Sequence, residues 1–107
     1  MKKGDCFKAN YDALLTKPFN KGWFLCHGVV TGTAGPVKDL QYVHAWLEYQ
    51  ELVYDYSNGA KLIMPKALYY MMGKIDNVVR YNSRQALILG VRYKTYGCWD
   101  EMFNAYP

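Results

Sequence analysis

Tyr42-Val43-His44-Ala45-Trp46-Leu47-Glu48-Tyr49-Gln50-Glu51-Leu52-Val53-Tyr54-Asp55-Tyr56-Ser57-Asn58 is the stretch whose reading decides the fold. Two runs rich in aromatic and β-branched residues, Tyr42 to Tyr49 and Leu52 to Tyr56, flank the polar pair Gln50-Glu51, which is the pattern of a β-hairpin. A two-residue turn sets Tyr49 opposite Leu52 and Trp46 opposite Asp55. Strand side chains alternate with a period of two, so His44, Trp46, Glu48 and Asp55 then share one face. His44 and Asp55 become diagonal cross-strand neighbours whose side chains can meet. A carboxylate beside an imidazole fixes its tautomer and stabilises its charged form, as a general base requires. Register is decisive here, because a three-residue turn sends Asp55 to the opposite face.

Upstream, Asp5 is a good N-cap, and Phe7, Tyr11, Leu14 and Leu15 follow at helical spacing, with Pro18 as the stop. That helix carries Cys6 at its first position, where unsatisfied backbone amides and the helix dipole favour an anion. Gly22 to Gly32 reads as a strand with Cys26 and His27 inside it, and Gly32 to Pro36 as a loop. Downstream, Ser57-Asn58-Gly59 signals a turn, and Leu62, Ile63 and Met64 form a short apolar run. Pro65 to Met72 reads as a short helix ending at Gly73. Val78 to Tyr81 suits a strand. Asn82 or Ser83 caps a helix over Arg84 to Thr95, although Gly90 and the alternation in Val91, Arg92 and Tyr93 also permit a strand. Trp99 to Pro107 is an irregular aromatic tail that lies back on the body.

The chain has 107 residues, 51% of them apolar, enough for one domain, 1–107, with a modest core. The expected class is α+β, with the Cys-bearing N-terminal helix packed on a small antiparallel sheet of about four strands and one or two later helices over it. A net charge of +4 arises from dispersed lysines and arginines, the pattern of a solvated surface. Three cysteines, an odd number, together with the lack of a leader pattern, point to free thiols and a cytoplasmic protein. Every apolar run is interrupted well short of a membrane span. The sequence carries no signal for an oligomeric state.

Cys6, His44 and Asp55 are thus the candidate catalytic set: a thiol at a helix N-terminus, an imidazole on one strand and an orienting carboxylate on the next. The segments Gly4-Asp5-Cys6-Phe7, His44-Ala45-Trp46-Leu47-Glu48 and Val53-Tyr54-Asp55 resemble, in this order and on these elements, papain-like and bacterial transglutaminase-like cysteine enzymes. The resemblance covers the first half of the chain. It implies a papain-like/transglutaminase-like core with Cys6 as nucleophile, His44 as base and Asp55 as orienting residue. The implied chemistry is acyl transfer on a peptide or a small amide or ester substrate, with no cofactor and no metal. Papain-like enzymes commonly carry a glutamine shortly before the cysteine to bind the oxyanion, and none stands in Met1 to Asp5. The Cys6 backbone N–H and His27 are the candidates for that task.

Each residue has a structural reading as well. Cys6 can be a small apolar core residue, His44 a core histidine and Asp55 a cap on the Ser-Asn-Gly turn, with Asn58 a rival for the orienting role. Trp46 and Glu48 share the His44 face and are candidate substrate contacts, Trp46 also as packing over the imidazole. Cys26 and Cys98 read as core residues. Cys26, His27, His44 and Asp55 are of metal-ligand type but lack CxxC or HxxxH spacing. The alternative to an enzyme is a small binding module for a protein or nucleic acid. Eleven tyrosines and three tryptophans offer stacking surfaces, yet the basic residues form no single stripe, which argues against nucleic acid.

Overall fold

The hairpin forms with the two-residue turn. In the computed structural model, which describes residues 5–57 and 59–107, Tyr49 stands opposite Leu52 and Leu47 opposite Tyr54, with Gln50 in the left-handed region at φ 54°. In chain order the elements are α1 (Asp5–Leu15), β1 (Trp23–Thr31), β2 (Gln41–Tyr49), β3 (Leu52–Ser57), β4 (Ala60–Pro65), α2 (Lys66–Gly73), β5 (Asp76–Tyr81) and α3 (Ser83–Tyr93). The strands form one antiparallel sheet in the order β4-β3-β2-β1-β5. The fold is α+β, with three α-helices on a five-stranded sheet among the described residues and β2 at its centre.

The strand beyond the expected four is β4, which contains the Leu62–Met64 run, read from sequence only as apolar. It pairs with β3 over the whole span from Leu52 opposite Pro65 to Ser57 opposite Ala60. As an edge strand it is exposed on nearly every residue, so it lacks the in-out alternation that marks a half-buried strand. At the other end of the chain the helix reading prevails over the strand. Asn82 accepts a hydrogen bond from the Gln85 backbone at 2.8 Å, and the Gln85 side chain accepts from the Asn82 backbone at 2.9 Å, a reciprocal cap for α3. Gly90 is explained by proximity: a Cβ there would lie 2.2 Å from the Tyr11 hydroxyl, so its absence lets α3 close on α1.

Alternation along the strands builds two cores. On one face Leu25, Ala45, Leu47 and Tyr81 pack against Cys6, Tyr11 and Leu14 of α1 and Ala86 of α3. On the other, Cys26, Val30, Trp46 and Val53 lie under Tyr69 and Tyr70 of α2. The buried stripe of α1 is Cys6, Asn10, Tyr11 and Leu14, whereas Leu15, placed in the stripe from sequence, is 44% exposed. The helix is therefore rotated so that a polar residue, Asn10, faces inward. The tail returns to the body as expected: Trp99 packs against Tyr11, His27 and Tyr81, and Phe103 is buried with Val29 and Val43.

Candidate active site

The site exists because β2 and β3 pair over only part of their length. Their ladder runs from Tyr49–Leu52 to Leu47–Tyr54 and stops there, although β2 begins at Gln41 and β3 continues to Ser57. Backbone groups past the split need other partners. Asn10 supplies them: its Nδ2 donates to the carbonyls of Ala45 at 3.1 Å on β2 and Tyr56 at 2.8 Å on β3. Its Oδ1 accepts the Tyr56 N–H at 3.0 Å, and the Cys6 carbonyl one turn back, 2.7 Å from Nδ2, shares one of its two hydrogens. One buried carboxamide thus wedges α1 into the gap between the strands. Cys6, one helical turn earlier on the same side of α1, is carried to the opening, where it meets His44, whose side chain points to the opposite face of the sheet.

His44 Nε2 lies 2.9 Å from Asp55 Oδ2, and the same oxygen accepts a hydrogen bond from the Tyr69 hydroxyl at 2.7 Å. The His44 and Asp55 side chains are only 12% and 10% exposed. Burial by itself lowers the imidazole's pKa, but hydrogen bonding to Asp55 and Cys6, with the negative charge of both, outweighs it and raises His44 to about 10. His44 is therefore an imidazolium at neutral pH, held between Asp55 and Cys6. With Nε2 committed to Asp55, Nδ1 is the nitrogen left for Cys6. Burial, then the Asp55 charge and hydrogen bond, raise the Tyr69 pKa, so its hydroxyl stays a donor. Trp46 backs the imidazole, with its ring 6.2 Å away and tilted by 26°.

Cys6 and His44 line one cavity of about 650 Å³, with apolar walls that include Val37, Leu40, Tyr42 and Phe103. A smaller cavity of about 220 Å³ lies beyond His44, lined by Asp55, Tyr69 and Met72 among others. His44 and Tyr42 border both spaces. Burial first, then the negative charges of Cys6 and Asp55, raise the Tyr42 pKa.

The structure brings together Cys6, His44 and Asp55, with Trp46 behind the imidazole, and places Glu48 and His27 elsewhere. Trp46 and Glu48, at 0% and 2% exposure, are enclosed, so neither is a substrate contact. Glu48 is the centre of a structural network: Trp46 Nε1 donates to it at 3.0 Å, Arg80 Nε at 2.9 Å and the Tyr70 hydroxyl as well, with Lys66 Nζ at 3.6 Å. Burial acts to raise its pKa, and the hydrogen bonds from Trp46, Tyr70 and Arg80 outweigh it and lower it.

His27 is not an oxyanion donor in this structure. It pairs with Ala45 across β1 and β2, which points it to the face opposite His44. There it is fully buried beside Phe7, Tyr81 and Trp99, with ring centroids 5.0, 5.3 and 5.2 Å away. Burial depresses its pKa to about 3, so it is neutral. Cys26 is buried as expected, but Cys98 is exposed; partial burial of its thiol still pushes its pKa up to about 11. Asn58 lies outside the described residues. Cys26 and His27 point to opposite faces, and among the described residues no group of three or more candidate ligands converges on a metal position. No described helix is long and apolar enough to cross a membrane.

Two contributors escaped the sequence reading. Asn10 had a legible signal, a carboxamide one helical turn after Cys6 within an apolar stripe. Tyr69 had none, because its approach to Asp55 depends on how α2 lies over the sheet. Comparison with protein-family models, curated proteins and solved structures finds no match to this chain.

Proposed function

We propose that this chain is a cysteine-dependent acyl-transfer enzyme, built on a papain-like or transglutaminase-like plan, in which Cys6 is the nucleophile, His44 the acid and base and Asp55 the orienting residue. The observation that carries the reading is the pairing of His44 Nε2 with Asp55 at 2.9 Å while the same imidazole faces Cys6 at the edge of an apolar cavity. In this reading the Cys6 thiolate adds to an amide or ester carbonyl, and the carbonyl π electrons move to oxygen. Collapse of the adduct breaks the bond to the leaving nitrogen or oxygen, which takes the His44 proton and departs as amine or alcohol. Neutral His44 then removes a proton from water or an incoming amine as it attacks the thioester. The Cys6 thiolate leaves and the acid or the new amide is released. Asp55, with Tyr69 on the same oxygen, holds the imidazole ring in place through both steps. A reducing compartment such as the cytoplasm keeps Cys6 available.

The test is site-resolved iodoacetamide labelling of the native protein near pH 7. Cys6 is expected to react ahead of Cys26, whose thiol is raised by burial and the Glu48 charge, and of Cys98, raised to about 11. His44→Ala should slow Cys6 by about tenfold or more, within the usual contribution of a paired acid-base group. Equal rates at the three thiols, or indifference of Cys6 to His44, would sink the reading and leave a packed core thiol in a binding module.

A further inference from the structure

The open side of β2 is used by three partners in succession. Leu47 pairs with β3, the Ala45 carbonyl accepts from Asn10, and the Val43 N–H donates to the Pro107 carbonyl at 3.4 Å. These residues are two apart, so all point their backbone groups to the same edge. The third partner is the chain's own last described segment. Tyr106 and Phe103 pack with Val43, and Asn104, Tyr106 and Pro107 form a wall of the cavity that holds Cys6 and His44.

We propose that Asn104–Pro107 is an internal competitor for the free edge of β2, so that an extended acyl donor reaches Cys6 in register only by displacing it. A strand edge binds any extended chain through main-chain hydrogen bonds, and side-chain pockets select among them. At Val43 the edge already takes a carbonyl, and the wall beside it takes an aromatic side chain, Tyr106, so the displacing partner has the same character: an extended segment with an aromatic or large apolar residue. Small reagents have a different route, since the cavity stays open to Cys6 with the segment in place. The role given to Cys6 rests on the proposed function, whereas the competition for the Val43 edge does not.

The experiment compares the full chain with Tyr106→Ala and Tyr106→Phe, each shown folded by circular dichroism, using amide hydrogen exchange and Cys6 labelling. With Tyr106→Ala the Val43 amide should exchange about tenfold faster while the Leu47 amide, paired with β3, is unchanged, a local opening. Tyr106→Phe should retain most of the protection. An acetylated Asn-Ala-Tyr-Pro peptide added to Tyr106→Ala should restore protection at Val43. Cys6 labelling by a chloroacetylated Ala-Tyr peptide should rise several-fold in Tyr106→Ala, with iodoacetamide labelling within about twofold of the parent. Val43 exchange that ignores Tyr106, or Val43 and Leu47 amides that loosen together, would overturn the proposal. Opening at Val43 with no labelling of Cys6 by either reagent would uphold the competition and refute the nucleophile.

Discussion

Replacing Asn10 should separate α1 from the split between β2 and β3, and the loss can be worked from its contacts. The side chain makes the equivalent of three hydrogen bonds: the Cys6, Ala45 and Tyr56 carbonyls share the two Nδ2 hydrogens, and Oδ1 accepts from the Tyr56 N–H. At a net contribution of about 1 kcal/mol each, and with backbone groups left unpaired in a buried place, Asn10→Ala should cost about 4 kcal/mol. That is a large share of the roughly 5–15 kcal/mol that holds a domain of this kind. Asn10→Asp separates hydrogen bonding from packing, because it preserves volume and the acceptor for Tyr56 but aims an oxygen at three carbonyls. It should be less stable than Asn10→Ala at neutral pH. Urea titrations followed by tryptophan fluorescence measure both. A loss under about 1 kcal/mol for Asn10→Ala, or an Asn10→Asp protein as stable as the parent, would refute the wedge as the device that positions Cys6.

Three further outcomes follow from the packing and the charges. The His44 ring protons should show no titration between pH 5 and 8 by NMR, and Asp55→Asn should move the midpoint downward from about 10. Because that pKa is raised above the unfolded value of 6.5, its stabilisation is complete below pH 6.5 and disappears as pH rises through about 10. His27 has the opposite sign: folded it stays neutral down to about 3, unfolded it takes a proton below 6.5, so stability falls as pH drops across that window. At pH 4.5 the penalty should be about 3 kcal/mol, and His27→Phe should flatten this part of the urea-stability profile. Gly90→Ala should destabilise by about 1–3 kcal/mol although alanine is the better helix former, because its Cβ meets the Tyr11 hydroxyl. Tyr11→Phe in the same chain should recover part of the loss, as read by thermal melting.

The sequence by itself located most of the local elements and narrowed the register of the hairpin, while the edge strand β4 was legible only as an apolar run. Gln50-Glu51 between two aromatic runs could turn in only a few ways, and the two-residue turn sets His44 and Asp55 on one face because side chains alternate. Helix limits were equally local, with Asn82 and Gln85 capping α3 through groups three residues apart. What tertiary structure decided is where a face is covered and where a ladder ends. Glu48 and Trp46 share the His44 face, yet α2 and Arg80 enclose them, which no periodicity reveals. His27 has the residue type of a site but the parity of the opposite face, and only the strand pairing exposes this. Most of all, Cys6 belongs to a helix on one side of the sheet and His44 to the other. They meet only because β2 and β3 part after Leu47 and Asn10 satisfies the backbone groups left there. Periodicity specifies which way a side chain points along its own element. Whether two elements leave a gap depends on long-range backbone hydrogen bonds, which have no local signature in the chain.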